Sequence, residues 1–336
     1  MLETCQFCSV ISKNNGEDPI GTTHQYDYWI VIETPLPWNM EKWQTDPAMA
    51  PILGLFEQLI LQQGIKLRPL AIAPDPAYSH PGYTRVLYYH RPTNLFNQYD
   101  KQEYLIPEDQ VYPLLLALFQ TPACLQDFDS YQQSVITRDL LICTHGNVDV
   151  ACSRFGTPIY KKLRDEYART PRLPVSPSSS LLVSPILRIW RCSHFGGHRF
   201  APTMIDLPTG QVFGHLDMSH LDSLVHRQGR WSHLRMCYRG WSGLNKFEQI
   251  AERDIWMQMG WSWFNCVKAG ETLDQDSSEG SARVQIKFQR PNGTGGIYKA
   301  DIDLVGEVET ASKSRKAIKL EQVKQYRVGR LVLEET

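Results

Sequence analysis

The chain has 336 residues, enough for two domains of ordinary size or for one large domain with an appendage. Apolar residues make up 42% of it, with 9 Trp, 15 Tyr and 12 Phe, which excludes a disordered protein and favours well-filled cores. Lys and Arg number 35 against 36 Asp and Glu, so the net charge of −1 gives no general attraction to nucleic acid or to an anionic membrane.

The apolar runs and the N-terminus bear on where the protein resides. The longest apolar run, 111–119, is about half of the roughly 20 residues that a transmembrane helix needs. The first five residues have neither a basic segment nor an apolar core, so we expect no signal peptide. We therefore expect a soluble, cytoplasmic protein without a membrane span, whose eight cysteines stay reduced.

Residues 1–135 are predicted to form a small N-terminal α/β unit. Strands are expected at 28–32, 69–73 and 84–89, where β-branched and aromatic residues are bounded by prolines. A helix is predicted for 52–65, because its apolar residues recur mainly at helical spacing. The order strand, helix, strand, strand is typical of an α/β unit.

Residues 136–270 are predicted to form a second α/β unit, with strands and helices that alternate as in the first. The predicted strands are 139–143, 181–191, 203–207 and 211–213, and the predicted helices are 158–168 and 247–259. The segment 171–180, rich in proline and serine, is expected to be an exposed loop. Two similar units suggest a duplication, although no repeat is visible at the level of residues.

Residues 271–336 are predicted to form a short, β-rich C-terminal extension. Its polar start, 271–280, is expected to be a linker. Strands at 282–289 and 297–304 are predicted to form a hairpin around Asn292 and Gly293, and a last strand is expected at 325–333. The glycines at 293–296 lack the lysine and the helix of a phosphate-binding loop, so a turn is expected there.

Two pairs of potential metal ligands lie in the second unit. His194 and His198 flank a segment with two glycines, whose backbone freedom allows both imidazoles to converge on one ion. Cys143 and Cys152 span the end of a predicted strand and the turn after it. Together they are a ligand set for tetrahedral zinc or for a [2Fe–2S] cluster with two histidine ligands. Solvated histidines and ordinary core cysteines are the alternatives for each pair alone.

Several ordered motifs resemble those of the sucrase/ferredoxin-like family. The motifs are Cys5-x-x-Cys8, Gly21-Thr22, the tryptophan- and proline-containing stretch 29–38, Cys143-Thr-His-Gly, Asp149, Cys152, Gly156 and His194-Phe-Gly-Gly-His198-Arg-Phe. The resemblance covers about residues 1–270. It implies that residues 136–270 are a thioredoxin-like ferredoxin domain with a [2Fe–2S] cluster for electron transfer, preceded by the unit 1–135.

The resemblance also implies the ligands of the cluster. In thioredoxin-like ferredoxins the second ligand pair is Cys-x-x-x-Cys, and His194 and His198 have the same spacing here, as in the bis-histidine branch of the family. Cys143, Cys152, His194 and His198 are therefore predicted to hold the cluster, with both imidazoles on one iron as in Rieske centres. No pair of carboxylates in the sequence argues for glycoside hydrolysis, so the word sucrase is not carried over.

These observations predict a one-electron carrier rather than an enzyme, with reduction coupled to proton uptake. A structural zinc module with the same two cysteines and two histidines, in an interaction protein, is the alternative. A thiol oxidoreductase that uses Cys5 and Cys8 is a third hypothesis, but no strand precedes these residues as a thioredoxin-type site requires. We expect Cys5 and Cys8 to be structural thiols, with a redox or metal role as the alternative. Cys192 and His145 are expected to pack in the core or to hydrogen-bond the ligands, with ligation as the alternative.

An excess of positive charge surrounds the histidine motif. Between residues 186 and 240 there are seven arginines against three aspartates, a local excess of +4. The arginines are Arg188, Arg191, Arg199, Arg227, Arg230, Arg235 and Arg239. They are expected to form either a solvated face with salt bridges or a docking surface for an acidic redox partner that the sequence does not identify.

Overall fold

The computed structural model describes residues 5–168 and 185–335. The predicted loop 171–180 lies outside these residues. The α-helices are α1 (Cys8–Asn14), α2 (Met40–Thr45), α3 (Met49–Glu57), α4 (Val111–Phe119), α5 (Val150–Glu166), α6 (Leu221–His226) and α7 (Lys246–Met259). The strands are β1 (Tyr28–Glu33), β2 (Leu67–Ile72), β3 (Tyr83–His90), β4 (Asp100–Pro107), β5 (Thr137–Cys143), β6 (Ile186–Cys192), β7 (Met204–Leu207), β8 (Gln211–Phe213), β9 (Tyr238–Trp241), β10 (Val267–Gln275), β11 (Ser281–Gln289), β12 (Gly295–Ala311) and β13 (Leu320–Glu335). Within the described ranges, none of the helices is long and apolar enough to cross a membrane.

A nine-stranded mixed sheet, in the order β4-β3-β1-β2-β6-β5-β7-β8-β9, forms the centre of the protein. β1 pairs in parallel with β2 and antiparallel with β3, and β4 follows antiparallel to β3. β5, β6, β7 and β8 repeat this pattern. The first half of the sheet, β1–β4, meets the second half, β5–β9, where Ile72 of β2 and Cys192 of β6 form one antiparallel bridge. The predicted α/β class is confirmed by this mixed sheet and the helices that pack on it.

Alternating side chains of the strands supply two hydrophobic cores. In β1, Ile30 and Ile32 pack in a core formed with α3 and α4, whereas Trp29 and Val31 face a larger core on the other side. The helix predicted at 52–65 begins earlier, at Met49, and continues through a π-helical turn, Gln58–Gln62. The smaller core thus lies on the first half of the sheet, whereas the larger core extends under both halves and also receives α5 and α7.

Buried ion pairs connect the two halves of the sheet. The Asp139 carboxylate of β5 accepts hydrogen bonds from Arg188 Nε at 2.7 Å and from Lys101 Nζ at 2.9 Å. Arg188 also binds Glu103 of β4, at 2.8 and 2.9 Å. Burial opposes the charged form of Asp139, but Arg188 and Lys101 hold the pKa of this carboxyl well below its usual range. The halves are therefore joined by charge as well as by the β2–β6 bridge.

The C-terminal extension is a separate antiparallel sheet in the order β10-β11-β12-β13. The turn predicted around Asn292 and Gly293 is confirmed, whereas Gly295 and Gly296, also expected in a turn, begin β12. The linker predicted at 271–280 is wrong, because residues 271–275 belong to β10 and pair with β11. This part of β10 is polar because its side chains are largely exposed. The chain beyond β12 returns to the N-terminus, where Gln6 and Arg315 form an isolated bridge.

Candidate metal centre

The two cysteines of the candidate site lie at the end of β5 and in the first turn of α5. The predicted start of this helix at residue 158 is wrong, because Asp149 caps the helix by accepting a hydrogen bond from Ala151 N at 2.9 Å. Pro158 lies inside the helix. A Cβ on Gly156 would lie only 2.1 Å from the carbonyl oxygen of Cys143, so glycine is required for α5 to cross the end of β5. This close packing brings Cys152 next to Cys143.

The two histidines lie in the loop that follows β6. Gly196 and Gly197 have φ values of +94° and +75°, which only glycine adopts readily. Arg239 donates to the carbonyl oxygen of Gly196 at 3.0 Å, and Arg68 donates to that of His194 at 2.6 Å. The loop is therefore held by two guanidinium groups from different parts of the sheet.

The N-terminal motifs support the same region. Arg239 donates to Thr22 Oγ1 at 3.0 Å and to Thr22 O at 2.9 Å, which links the Gly-Thr motif to the histidine loop. The carbonyl oxygen of Trp38 accepts hydrogen bonds from His145 Nε2 at 3.1 Å and from Asn147 Nδ2 at 2.9 Å. Residues 21–38 thus position the turn that follows Cys143, although none of them offers a ligand.

Three of the four predicted ligands converge. His194 Nδ1 lies 3.8 Å from Cys143 Sγ and 3.7 Å from Cys152 Sγ, and the three ligand atoms all lie within 4.8 Å of one another. Ligands bound at 2.0–2.3 Å around one tetrahedral ion are roughly 3.3–3.8 Å apart. Two thiols and an imidazole are also the donor types of zinc and iron–sulfur sites, so both the geometry and the chemistry fit a metal.

His198, the fourth predicted ligand, lies beside this group and belongs to a second one. Its ring centroid is 5.5 Å from that of His194. Its Nδ1 atom is 3.4 Å from Cys8 Sγ and 3.6 Å from Asp149 Oδ2, and these three residues also form a group that can hold a metal ion. The structure therefore brings Cys143, Cys152 and His194 together and places His198 next to them.

The thiols of the first group are electrostatically unequal. The pKa of Cys143 is lowered, first because the Cys152 thiol donates a hydrogen bond to it and also because His194 lies beside it. The pKa of Cys152 is raised, because it donates that hydrogen bond and is buried. The Cys143 thiol therefore loses its proton more readily than the Cys152 thiol, and a metal binds the thiolate form of each. Burial also raises the pKa of Cys8, to about 11.

Cys192 and His145 lie outside both groups. His145 donates from Nε2 to Trp38 O, so its Nδ1 is left to accept the backbone N–H of His194, at 3.4 Å. This agrees with the expected hydrogen bonding to the ligand segment. Cys192 is fully buried at the end of β6 and belongs to the large core, as expected.

Cys8 and Ser314 are at the site, and the sequence analysis did not place them there. Ser314 Oγ donates to Asp149 Oδ1 at 2.6 Å, Ser314 N donates to Asp149 Oδ2 at 2.8 Å, and Ser314 Oγ lies 3.3 Å from Cys8 Sγ. Ser314 lies between β12 and β13, so the C-terminal extension contacts the candidate centre. Cys8 belongs to the Cys-x-x-Cys motif, which was a usable signal, whereas nothing in the sequence marks Ser314.

The seven arginines do not form one docking surface. Arg188 and Arg239 are only 4% and 3% exposed. Arg227 pairs with Asp206, Arg199 with Glu17 and Arg235 with Asp254. The charge excess in the sequence is therefore spread over internal contacts and separate ion pairs, and only part of it faces solvent.

Comparison with known proteins places the chain in a family. The sequence model of the family described as sucrase/ferredoxin-like matches residues 19–240, which include both halves of the large sheet and the candidate ligands Cys143, Cys152, His194 and His198. No curated protein and no solved structure matches the chain. Because the match covers more than half of its residues, the chain belongs to the sucrase/ferredoxin-like family.

Proposed function

We propose that the protein is a one-electron carrier whose [2Fe–2S] cluster is held by Cys143, Cys152, His194 and His198. The observation that carries this proposal is the convergence of two buried cysteines and a histidine at the ends of β5 and β6, with a second histidine beside them. Membership of a ferredoxin-like family supports the same conclusion. When bound, such a cluster supplies a site that takes up and releases one electron.

The residues around the site suit electron exchange through the histidine side. Cys143 and Cys152 are fully buried, whereas His194 and His198 are partly exposed. His194 also borders an apolar cavity of about 320 Å³, with Trp43 and Met49 among the residues of its wall. In this proposal the cysteines anchor the buried iron, and electrons enter and leave where the imidazoles reach the surface.

The same residues suit a second candidate, a structural zinc module of an interaction protein. The distances of 3.7 and 3.8 Å from His194 Nδ1 to the two sulfurs are those of ligands that share one ion. A cluster with both imidazoles on the second iron requires His194 to turn away from the sulfurs and toward His198.

The partner in this proposal is a redox protein that accepts or supplies one electron. Docking of an acidic partner now depends on the arginines that remain partly or fully exposed, such as Arg191 and Arg230. A cytoplasmic location is part of the proposal, because a reducing compartment keeps the ligand thiols free.

Substitution of the cysteines tests the ligand assignment. Cys143→Ala and Cys152→Ala are each expected to abolish the visible absorption of anaerobically purified protein, because each removes a thiolate from the buried iron. Cys124→Ala is the matched control, because Cys124 is an exposed thiol outside both metal-binding groups and its loss should leave the spectrum unchanged. A wild-type spectrum in Cys143→Ala or Cys152→Ala would refute the assignment.

A further inference from the structure

Cys8 contacts His198, which is a proposed ligand of the cluster and also belongs to the second group, with Cys8 and Asp149. It comes from the first residue of α1, far from the other ligands in sequence, and its side chain is fully buried. Its sulfur is 3.4 Å from His198 Nδ1. A thiol that approaches a predicted ligand nitrogen this closely is in position to share its metal ion.

The separation of the two atoms has a direct geometric meaning. A thiolate 2.3 Å from a metal ion and an imidazole nitrogen 2.0–2.1 Å from the same ion lie roughly 3.6 Å apart when the angle between them is tetrahedral. The observed 3.4 Å is close to this value. The two atoms are therefore close enough for one ion to bond to both without movement of α1.

Asp149, the third member of this group, is less available as a ligand. Its Oδ1 atom accepts hydrogen bonds from Ala151 N and Ser314 Oγ, and its Oδ2 atom accepts one from Ser314 N. Metal binding through Oδ2, the oxygen that faces His198, would compete with the hydrogen bond from Ser314 N. The Cys8 sulfur accepts a hydrogen bond from Ser314 Oγ at 3.3 Å, but iron–sulfur centres take thiolate ligands in preference to carboxylates.

We propose that Cys8 is an alternative ligand of the centre, able to take the terminal position of His198 and to give a site with three thiolates and one imidazole. This inference rests on the proposed function. It means that five side chains are available for the four terminal positions of the cluster: Cys8, Cys143, Cys152, His194 and His198. The two ligand sets differ by one negative charge, so the form that uses Cys8 should have the lower reduction potential.

The test is a set of variants of the full chain, purified anaerobically. His198→Ala removes the imidazole and leaves space for Cys8 to reach the iron. The double variant His198→Ala with Cys8→Ser removes both candidates for this position. The matched control is His198→Ala with Cys5→Ser, because Cys5 belongs to the same motif but is exposed and outside the site. Iron and sulfide content, electron paramagnetic resonance and reduction potential are measured, with circular dichroism as the test of folding.

The inference predicts a distinct result for each variant. His198→Ala should keep about two irons and two sulfides per chain, with altered g values and a lower potential than wild type. The control double variant should match His198→Ala. The variant that also lacks Cys8 should lose at least four fifths of its iron while remaining folded. If iron is lost from folded His198→Ala to the same extent, Cys8 is not an alternative ligand.

Two further outcomes separate this inference from the proposed function. Retention of the same cluster signal in the double variant without Cys8 would overturn the inference alone, because another group would then hold the iron. Wild-type protein with neither iron nor sulfide would overturn both. Cys8→Ser alone should keep the wild-type spectrum, because His198 still holds the position, and its loss of the cluster would show that Cys8 is an obligatory ligand instead.

Discussion

Replacement of Gly156 by alanine tests whether the packing of α5 on β5 assembles the centre. The new Cβ would lie 2.1 Å from the carbonyl oxygen of Cys143, whereas Cβ atoms are essentially never found closer than 3.0 Å to another heavy atom. The neighbour is backbone, so no side-chain rotation relieves the clash and α5 has to move. Because Cys152 lies one turn before Gly156 in α5, the ligand moves with the helix.

The expected magnitude follows from two opposing effects. Overpacking costs about 1–3 kcal/mol, and a clash with backbone belongs at the upper end of that range. Alanine regains about 1 kcal/mol of helix propensity over glycine. We therefore expect Gly156→Ala to lower the free energy of unfolding by about 2 kcal/mol and to reduce the metal content of the purified protein.

Gly54→Ala in α3 is the matched control. A Cβ at Gly54 meets no atom within 4 Å, so the gain in helix propensity should appear alone, as a stabilisation of up to about 1 kcal/mol. Urea unfolding of both variants, with metal analysis of each, measures the difference. Equal stability and equal metal content in the two variants would refute the idea that the contact of Gly156 with Cys143 positions the ligands.

Three further predictions concern the potential of the centre and the buried charges. Imidazole carries less negative charge than thiolate, so the reduction potential should exceed the roughly −400 mV of plant-type ferredoxins. Where a proton accompanies the electron, the potential should fall by up to ~59 mV per pH unit. A redox titration from pH 6 to 10 measures both quantities, and a potential independent of pH would exclude the proton coupling. Asp139→Ala should destabilise the fold by about 3–5 kcal/mol in urea unfolding, because Arg188 and Lys101 each lose one of two buried carboxylate partners and Trp190 Nε1 loses its acceptor; a loss below about 1 kcal/mol would contradict this role. Burial opposes the charge of Asp206, but Arg138 and Arg227 lower its pKa to about 2, so its stabilising effect is complete above pH 4 and is lost as the pH falls toward 2. Asp206→Asn should therefore flatten the acid dependence of wild-type stability between pH 4 and 2, and an unchanged slope would contradict this assignment.

The sequence predicted the elements whose signal is local. β1, the hairpin of β7 and β8, and α7 were expected within about two residues of their observed bounds, because their periodicity and turn residues lie in the same short segments. The predicted start of α5 at residue 158 comes nine residues after the Asp149 cap, and Pro158 in fact lies inside the helix. Polar composition at 271–275 suggested a linker, but an edge strand with one exposed face has the same composition.

In the candidate site, too, the sequence predicts the residues whose signal is local and misses those that only tertiary packing brings in. Cys143, Cys152, His194 and His198 were found because each pair is close in sequence and the spacing matches known ligand patterns. The contact of Cys8 with His198 joins residues 190 positions apart, and that of Ser314 with Asp149 joins residues 165 apart. Such contacts depend on how α1 and the C-terminal sheet pack against the large sheet. No pattern in one sequence encodes that packing.

Metal and sulfide analysis of wild-type protein tests the central proposal most directly. The protein is purified anaerobically from cells supplied with ample iron, and iron, zinc and acid-labile sulfide are measured per chain. The proposed cluster predicts about two irons and two sulfides, with the visible absorption of a red-brown [2Fe–2S] protein. One zinc per chain, without sulfide and without colour, would contradict electron transfer at this site and favour the structural zinc module.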